Sequence, residues 1–139
     1  MVAGWLWREF LQADGYTLEQ VVDIVAGAVA HSGPPQCFVL LADGEPVGTA
    51  TLAAEDLDER PDLTPWLAGV FVVPEERGQG HVVPLIDAVE AACRSASIGE
   101  LWLYTNTAER VYARAGWRIF EIVQRRNKRP VTLMRRDLT

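Results

Sequence analysis

Arg77-Gly78-Gln79-Gly80 is the stretch of this sequence with the plainest chemistry. Two glycines separated by one residue, just ahead of a helix-like pattern, let several backbone N–H groups converge on one point. The dipole of the following helix adds partial positive charge there, and phosphate is the ligand such a turn binds. A tight strand-to-helix turn without a ligand would use the same two glycines. A second resource is the acidic run of residues 43–62, where Asp43, Glu45, Glu55, Asp56, Asp58, Glu59 and Asp62 face one base, Arg60. Both histidines, His31 and His81, lack a nucleophile beside them and lack metal-ligand spacing, so no metal is expected.

The elements around these residues follow from periodicity and punctuation. Residues 66–73 form an almost unbroken apolar run, rich in β-branched and aromatic types and stopped by Pro74, which predicts a central, buried strand. From Val82 the spacing changes to Val82, Ile86, Val89 and Cys93, one face of a helix. At the start, Leu6 with Phe10 and Trp7 with Leu11 predict a short helix over residues 3–11. Thr17 is a good N-cap for a second helix, with Gln20 completing a capping box and Tyr16 stapled onto Val21. The apolar face of that helix is Leu18, Val21, Val25 and Ala28 or Val29, and Ser32-Gly33-Pro34-Pro35 ends it near His31. Residues 37–42 and 47–53 read as a hairpin turning at Asp43-Gly44, with Gly48 marking a bulge. Residues 101–105 are a further strand, followed by a short helix that Asn106 caps with Glu109 at N3 and Gly116 closes in the left-handed position. Residues 117–126 and 130–136 complete the set as two strands joined around Asn127-Lys128. The order α α β β β α β α β β defines an α/β (α+β) chain with a central sheet flanked by helices.

Length and charge bound the function. At 139 residues with 49% hydrophobic composition, one domain spanning residues 1–139 is expected. A net charge of −6 and a pI near 4.9 argue against a general nucleic-acid or anionic-membrane surface. The basic residues are uneven: Arg125, Arg126, Lys128, Arg129, Arg135 and Arg136 are six of the thirteen. An acidic rim and a basic strand pair fit a ligand with two differently charged ends, and they also fit solvated loops. Cys37 and Cys93 belong to no Cys/His cluster and read as reduced core residues, as in a cytosolic protein. No signal peptide is evident, and no apolar run approaches the ~20 residues of a membrane span.

Taken together, three segments resemble the GNAT superfamily of acyl-CoA-dependent N-acetyltransferases. Val70-Phe71-Val72-Val73-Pro74-Glu75-Glu76-Arg77-Gly78-Gln79-Gly80 is similar to the family's fourth strand and its Arg/Gln-x-x-Gly-x-Gly/Ala pyrophosphate loop. Leu103-Tyr104-Thr105-Asn106, leading to Val111-Tyr112-Ala113-Arg114-Ala115-Gly116-Trp117, is similar to the segment ending in Tyr-x-x-x-Gly-aromatic. The third is the closing strand pair ending in Val131-Thr132-Leu133-Met134-Arg135-Arg136-Asp137-Leu138. The likeness covers roughly residues 36 to 138, in order and on the expected elements. It departs from the family at Val82, where glycine or alanine is usual, and at Pro84 in the first helical turn. Family members normally begin with a strand, whereas this chain starts almost directly in helix, so that strand is either absent or lies ahead of Met1.

The resemblance implies the acyl-CoA N-acyltransferase fold, a mixed, mostly antiparallel sheet whose fourth and fifth family strands splay. Acetyl-CoA would be the co-substrate, its pantetheine arm pairing with the backbone of Val70, Phe71 and Val72. Its pyrophosphate would lie on Arg77, Gly78, Gln79, Gly80, His81 and Val82. Tyr112 matches the position that protonates the departing thiolate, and Asn106 is a further candidate for positioning water or the coenzyme. Glu55 and Asp56 are the best-placed bases, with Asp62 behind and a water chain as the alternative. The expected activity is direct acetyl transfer to a primary amine, a small cationic one because the acidic 43–62 region attracts positive charge. Alternatives are a peptide or lysine acceptor, an acyl-CoA-binding module without efficient turnover, and an interaction domain whose N-terminal tryptophans form a dimer surface. A homodimer is compatible with each.

Overall fold

A computed structural model of the chain describes residues 1–12, 17–27, 30 and 32–139, with the side chains of residues 11, 21 and 23–26 excluded. Helix α1, Val2–Leu6, runs on into a π-helical turn, Trp7–Leu11. Helix α2 is Leu18–Gly27. Its predicted capping box is formed: the Thr17 N–H donates to Gln20 Oε1 at 2.8 Å and the Gln20 N–H to Thr17 Oγ1 at 3.1 Å. Leu18, expected on the buried face, is 42% exposed. The proposed Tyr16 staple and the helix end near Ala28, Val29 and His31 lie outside the described residues.

Strands β1, Gln36–Ala42, and β2, Glu45–Ala53, form the predicted hairpin. Asp43 and Gly44 both take positive φ, 51° and 80°, the requirement of a type I′ turn. The register slips between Leu40↔Gly48 and Leu41↔Pro46, beside the glycine expected to mark a bulge. Gly48 also permits close packing, since a Cβ there would sit 3.0 Å from the Phe71 carbonyl oxygen.

Strand β3, Trp66–Val72, is antiparallel to β2. Against its parallel neighbour β4, Glu100–Thr105, it makes one paired position, Trp66↔Trp102. The strands then part. Gly69 explains the fork: it adopts φ 59° at a bulge where the β2 register slips between Thr49 and Thr51, and a bulged strand bends and twists away from its neighbour. The apolar run is therefore buried at Trp66 and Leu67 and half-buried from Ala68 to Val72, not buried throughout as its composition predicts.

Helix α3, Val82–Ser95, buries Leu85, Ile86, Val89 and Cys93 on the expected face. Glu90 shares that face at 4% exposure and is compensated by Arg136 Nε at 3.1 Å. Helix α4, Glu109–Arg114, closes on Gly116 at φ 97°, with the Trp117 N–H donating to the Tyr112 carbonyl at 3.0 Å, a Schellman closure. The start of α4 differs from expectation. Ala108 is the N-cap, its N–H donates to Thr105 Oγ1 at 3.1 Å, and Glu109 accepts from Thr132 Oγ1 at 2.9 Å, so Asn106 caps nothing. Strands β5, Arg118–Val123, and β6, Val131–Asp137, complete a six-stranded sheet in the order β1-β2-β3-β4-β6-β5.

Side-chain alternation along β4 separates two cores. Leu101 and Leu103 join Leu52, Leu67, Ile86, Val89 and Tyr112 under α3, while Trp102 joins Trp66, Leu57, Val131 and Leu133 on the opposite face. Trp5 is core rather than dimer surface: it is 9% exposed with its ring 5.6 Å from Phe71. Both cysteines are free, Cys93 fully buried and Cys37 half-buried. No helix among the described residues is long and apolar enough to cross a membrane.

Candidate active site

The glycine loop follows β3 through a short 3-10 turn, Pro74–Glu76. Gly78 and Gly80 both lie in the left-handed region, φ 80° and 77°, so the alternation of the backbone is broken twice and successive N–H groups turn outward. Among the described residues no backbone carbonyl accepts from the N–H groups of residues 78–82. Nothing lies within 4 Å of where a Cβ would stand on either glycine, which leaves the approach to that array open. The Arg77 Nε donates to the Val72 carbonyl at 2.8 Å, and its guanidinium sits 5.3 Å over the Phe71 ring, which folds the charge back along the loop. His81 contributes its backbone to this array, while its ring pairs with Glu76 at 3.2 Å. Val82, the departure from the family's glycine or alanine, is half-buried and packs against the core under α3. Pro84 is exposed at the third helical position, where an N–H has no intrahelical partner in any case.

Between the loop and the fork runs an open slot. Past Trp66↔Trp102 the β4-facing side of β3 has no strand beside it, so an extended amide chain can add there as a strand would. Val70 and Val72 face the α3 core, and Phe71 faces Trp5 on the other side. Tyr112 belongs to the same core cluster as Leu67, and Val70 and Val72 pack against that cluster. Tyr112 is 9% exposed, its ring is edge-on to Trp117 at 6.2 Å, and among the described residues its hydroxyl has no hydrogen-bond partner. Burial pushes its pKa up to about 12, so it remains a donor across the physiological range. Asn106 is exposed just past the end of β4, near the mouth of the fork.

The carboxylates stand at the closed end. Ala53, the last residue of β2, pairs with Trp66, so the following loop leaves beside the fork. Leu57 anchors that loop in the Trp66–Trp102 cluster at 2% exposure, and Asp56 precedes it, half-buried. Loss of water raises the Asp56 carboxyl from 3.8 to about 7; Arg125 opposes the shift and Asp58 adds to it. Glu55 is exposed. Asp62 is occupied by Arg60 at 3.0 Å, and that hydrogen bond holds its carboxyl below the usual range.

Two participants have no local signal in the sequence. Arg125, from the segment after β5, donates from Nε to Glu59 at 3.2 Å and lies 5.2 Å over the Tyr104 ring, which in turn meets Trp66 edge-on at 6.3 Å. One acid of the 43–62 run thus pairs with one base of the C-terminal segment, Glu59 with Arg125, while Arg60 pairs with Glu121 of β5. Among the described residues no group of three His, Cys, Asp or Glu could hold a metal ion.

A bulged parallel fork with a glycine loop at its mouth, on a mostly antiparallel six-stranded sheet, defines the acyl-CoA N-acyltransferase fold. The chain belongs to the acetyltransferase (GNAT) family, whose model it matches over residues 1–117. Among solved structures it is similar to an aminoglycoside 6′-N-acetyltransferase complexed with coenzyme A, with a TM-score of 0.78 and 12% identity over 99% of this chain and 89% of that one. Ard1 from Thermoplasma volcanium gives a TM-score of 0.70 and 17% identity, covering 97% of this chain and 92% of the other. The yncA structure from Salmonella typhimurium with its cofactor acetyl-CoA gives 0.66 and 15%, covering 89% and 75%. No curated protein sequence matches.

Proposed function

We propose that this chain, acting as a single domain, is an acetyl-CoA-dependent N-acetyltransferase that transfers acetyl directly to the primary amine of a small cationic molecule. The observation that carries the reading is the fork opening at Trp66↔Trp102, followed by a loop whose residue 78–82 N–H groups donate to no backbone carbonyl among the described residues. Pyrophosphate fits that N–H array with Arg77 beside it, and the pantetheine amides fit the β4-facing backbone of Val70, Phe71 and Val72, where they replace the Arg77 Nε from which the Val72 carbonyl accepts. Asn106, exposed just past the end of β4, is the residue we assign to bonding the arm.

In the reaction the amine nitrogen forms a bond to the thioester carbonyl carbon, the C–S bond breaks, and the amine gives up one proton. Asp56 takes that proton; a carboxyl near 7 is half-ionised at neutral pH and basic enough to capture it. Glu55, exposed to water, is left to attract the cation, as is Asp58. Tyr112 donates a hydrogen bond to the sulfur as charge develops there. Full transfer from a phenol near 12 to a thiolate whose acid has a pKa of about 8.5 is uphill, so the thiol acquires its proton from solvent on leaving. This refines the expectation that Tyr112 protonates the thiolate outright.

Calorimetric titration with acetyl-CoA tests the coenzyme half of this reading. Saturable binding at one site per chain is expected, weakened by Arg77→Ala. Absence of binding would reject it in favour of an interaction domain.

A further inference from the structure

We propose that Arg136 is the positioning residue for Tyr112, its guanidinium tying the C-terminal end of α4 to the buried Glu90 of α3, an inference that rests on the Tyr112 role assigned above.

Helix α4 has six residues, Glu109–Arg114, too few to hold a shape by their own hydrogen bonds. Its placement comes from what it touches, and β6 supplies much of that. Thr132, Met134 and Arg136 alternate onto the α3 side of the strand. Thr132 Oγ1 donates to Glu109 at 2.9 Å in the first turn of α4. Met134 is fully buried in the cluster that holds Tyr112 and Trp117. Arg136 Nη1 donates to the Gly116 carbonyl at 3.0 Å, just past the last turn. The strand thus grips the helix at both ends, with apolar packing between.

The Arg136 grip is the one that bears on Tyr112. Gly116 closes α4 in the left-handed region, and the next residue, Trp117, donates its N–H back to the Tyr112 carbonyl at 3.0 Å. The Tyr112 and Trp117 rings are also in edge-on contact. A shift of the Gly116 peptide therefore moves the backbone and the ring of Tyr112 together. A Cβ added at Gly116 would collide with the Arg136 guanidinium, so the guanidinium fills the space that a side chain would take.

Glu90 makes the grip stiff. It stands on the buried face of α3 at 4% exposure, where an apolar residue would be expected. An ionised carboxylate there carries a desolvation cost that only well-placed donors offset. Arg136 Nε donates to its Oε1 at 3.1 Å while Nη1 holds Gly116. A guanidinium presents these donors in one rigid plane, so fixing Nε fixes Nη1; a lysine ammonium is a single point and spans only one of the two acceptors. Arg94 reaches the same carboxylate at 3.6 Å, but from α3 itself, so that pair does not link the two helices.

A double-mutant cycle on the whole chain tests the proposal. Arg136→Lys, Tyr112→Phe and their combination are compared with the wild type at saturating acetyl-CoA, with 1,4-diaminobutane as the amine, and amide hydrogen exchange is followed by NMR in the same proteins. Arg136→Lys is expected to lower kcat about tenfold with the acetyl-CoA KM unchanged, short of the ~10²-fold that a misplacement of a full ~1 Å costs. It should also speed exchange of the Trp117 amide about tenfold and leave Leu101 and Leu103 in β4 unaffected. With phenylalanine at position 112 the same lysine change should alter kcat less than about twofold, because the hydroxyl that Arg136 positions is gone. Arg94→Gln is the control and should match the wild type in both readings. If Arg136→Lys fails to fold by circular dichroism, Glu90→Leu combined with Arg136→Met takes its place: the buried charges are removed together, the Gly116 tether is still lost, and the same fall in kcat is expected. Equal loss of kcat in both backgrounds, or unchanged Trp117 exchange, would overturn the proposal. Exchange needs no acceptor, so it reads the tether whichever amine the protein prefers. An unchanged kcat in Tyr112→Phe alone would overturn the Tyr112 role and this inference with it; faster Trp117 exchange in Arg136→Lys would then mark the failure as that of the role and not of the tether.

Discussion

Asp56→Asn is expected to lower turnover about 10²–10³-fold while making the protein more stable above neutral pH. The two effects share one cause. The Asp56 carboxyl is raised from 3.8 to about 7 chiefly by removal from water, so the fold disfavours its ionised form. A group whose folded pKa is raised in this way binds more protons folded than unfolded. Its contribution is therefore fully present below about pH 4 and is lost as pH climbs to 7. At about 1.4 kcal/mol per unit of pKa, the loss is at most about 4.5 kcal/mol. Asparagine, close in shape to the protonated acid, escapes it. Thermal unfolding should show the variant's advantage at pH 8 and little of it at pH 4. In the wild type, kcat/KM should rise through an acid limb centred near pH 7, where the base becomes ionised. A solvated loop acid would move neither turnover nor the pH dependence of stability, and that outcome would return the base to Glu55 or to water.

Tyr112→Phe is expected to reduce kcat about 10²-fold with little change in acetyl-CoA affinity. The ring, its packing on Trp117 and the α4 closure at Gly116 all survive the substitution, so what is lost is one hydrogen bond to a developing charge. Because burial holds the phenol near 12, the wild type should show no fall in activity from its ionisation at moderately alkaline pH. Steady-state kinetics of the pair decide it: an unchanged kcat would remove the hydroxyl from the chemistry.

Much of this architecture is legible in the chain because its signals are local. Thr17 with Gln20, Asp43-Gly44, the α3 stripe and Gly116 each encode a backbone state within a few residues, and each appears where expected. Gly69 was equally available, since a glycine inside a strand pattern marks a bulge, yet its consequence depends on which strand lies alongside. Burial of the 66–72 run fails for that reason: composition reports apolarity, whereas exposure reports the absent neighbour past Trp66. Asn106 illustrates the opposite limit. Its sequence fits a cap, but Thr105 one residue earlier reaches the same N–H. Asp56 and Arg125 are the least legible, because their properties arise from Leu57 anchoring one loop and Glu59 gripping a segment 66 residues away. The comparison structures add the fold, at 12–17% identity, and leave the acceptor to these local groups.

The most direct measurement is amine-dependent release of free thiol from acetyl-CoA, followed over a panel of small cationic amines, neutral amines and lysine peptides. Turnover that requires an amine and is fastest with the small cationic members is the predicted result. Coenzyme binding without thiol release for any amine would contradict the transferase reading, and peptides outpacing the small cations would contradict the acceptor assigned here.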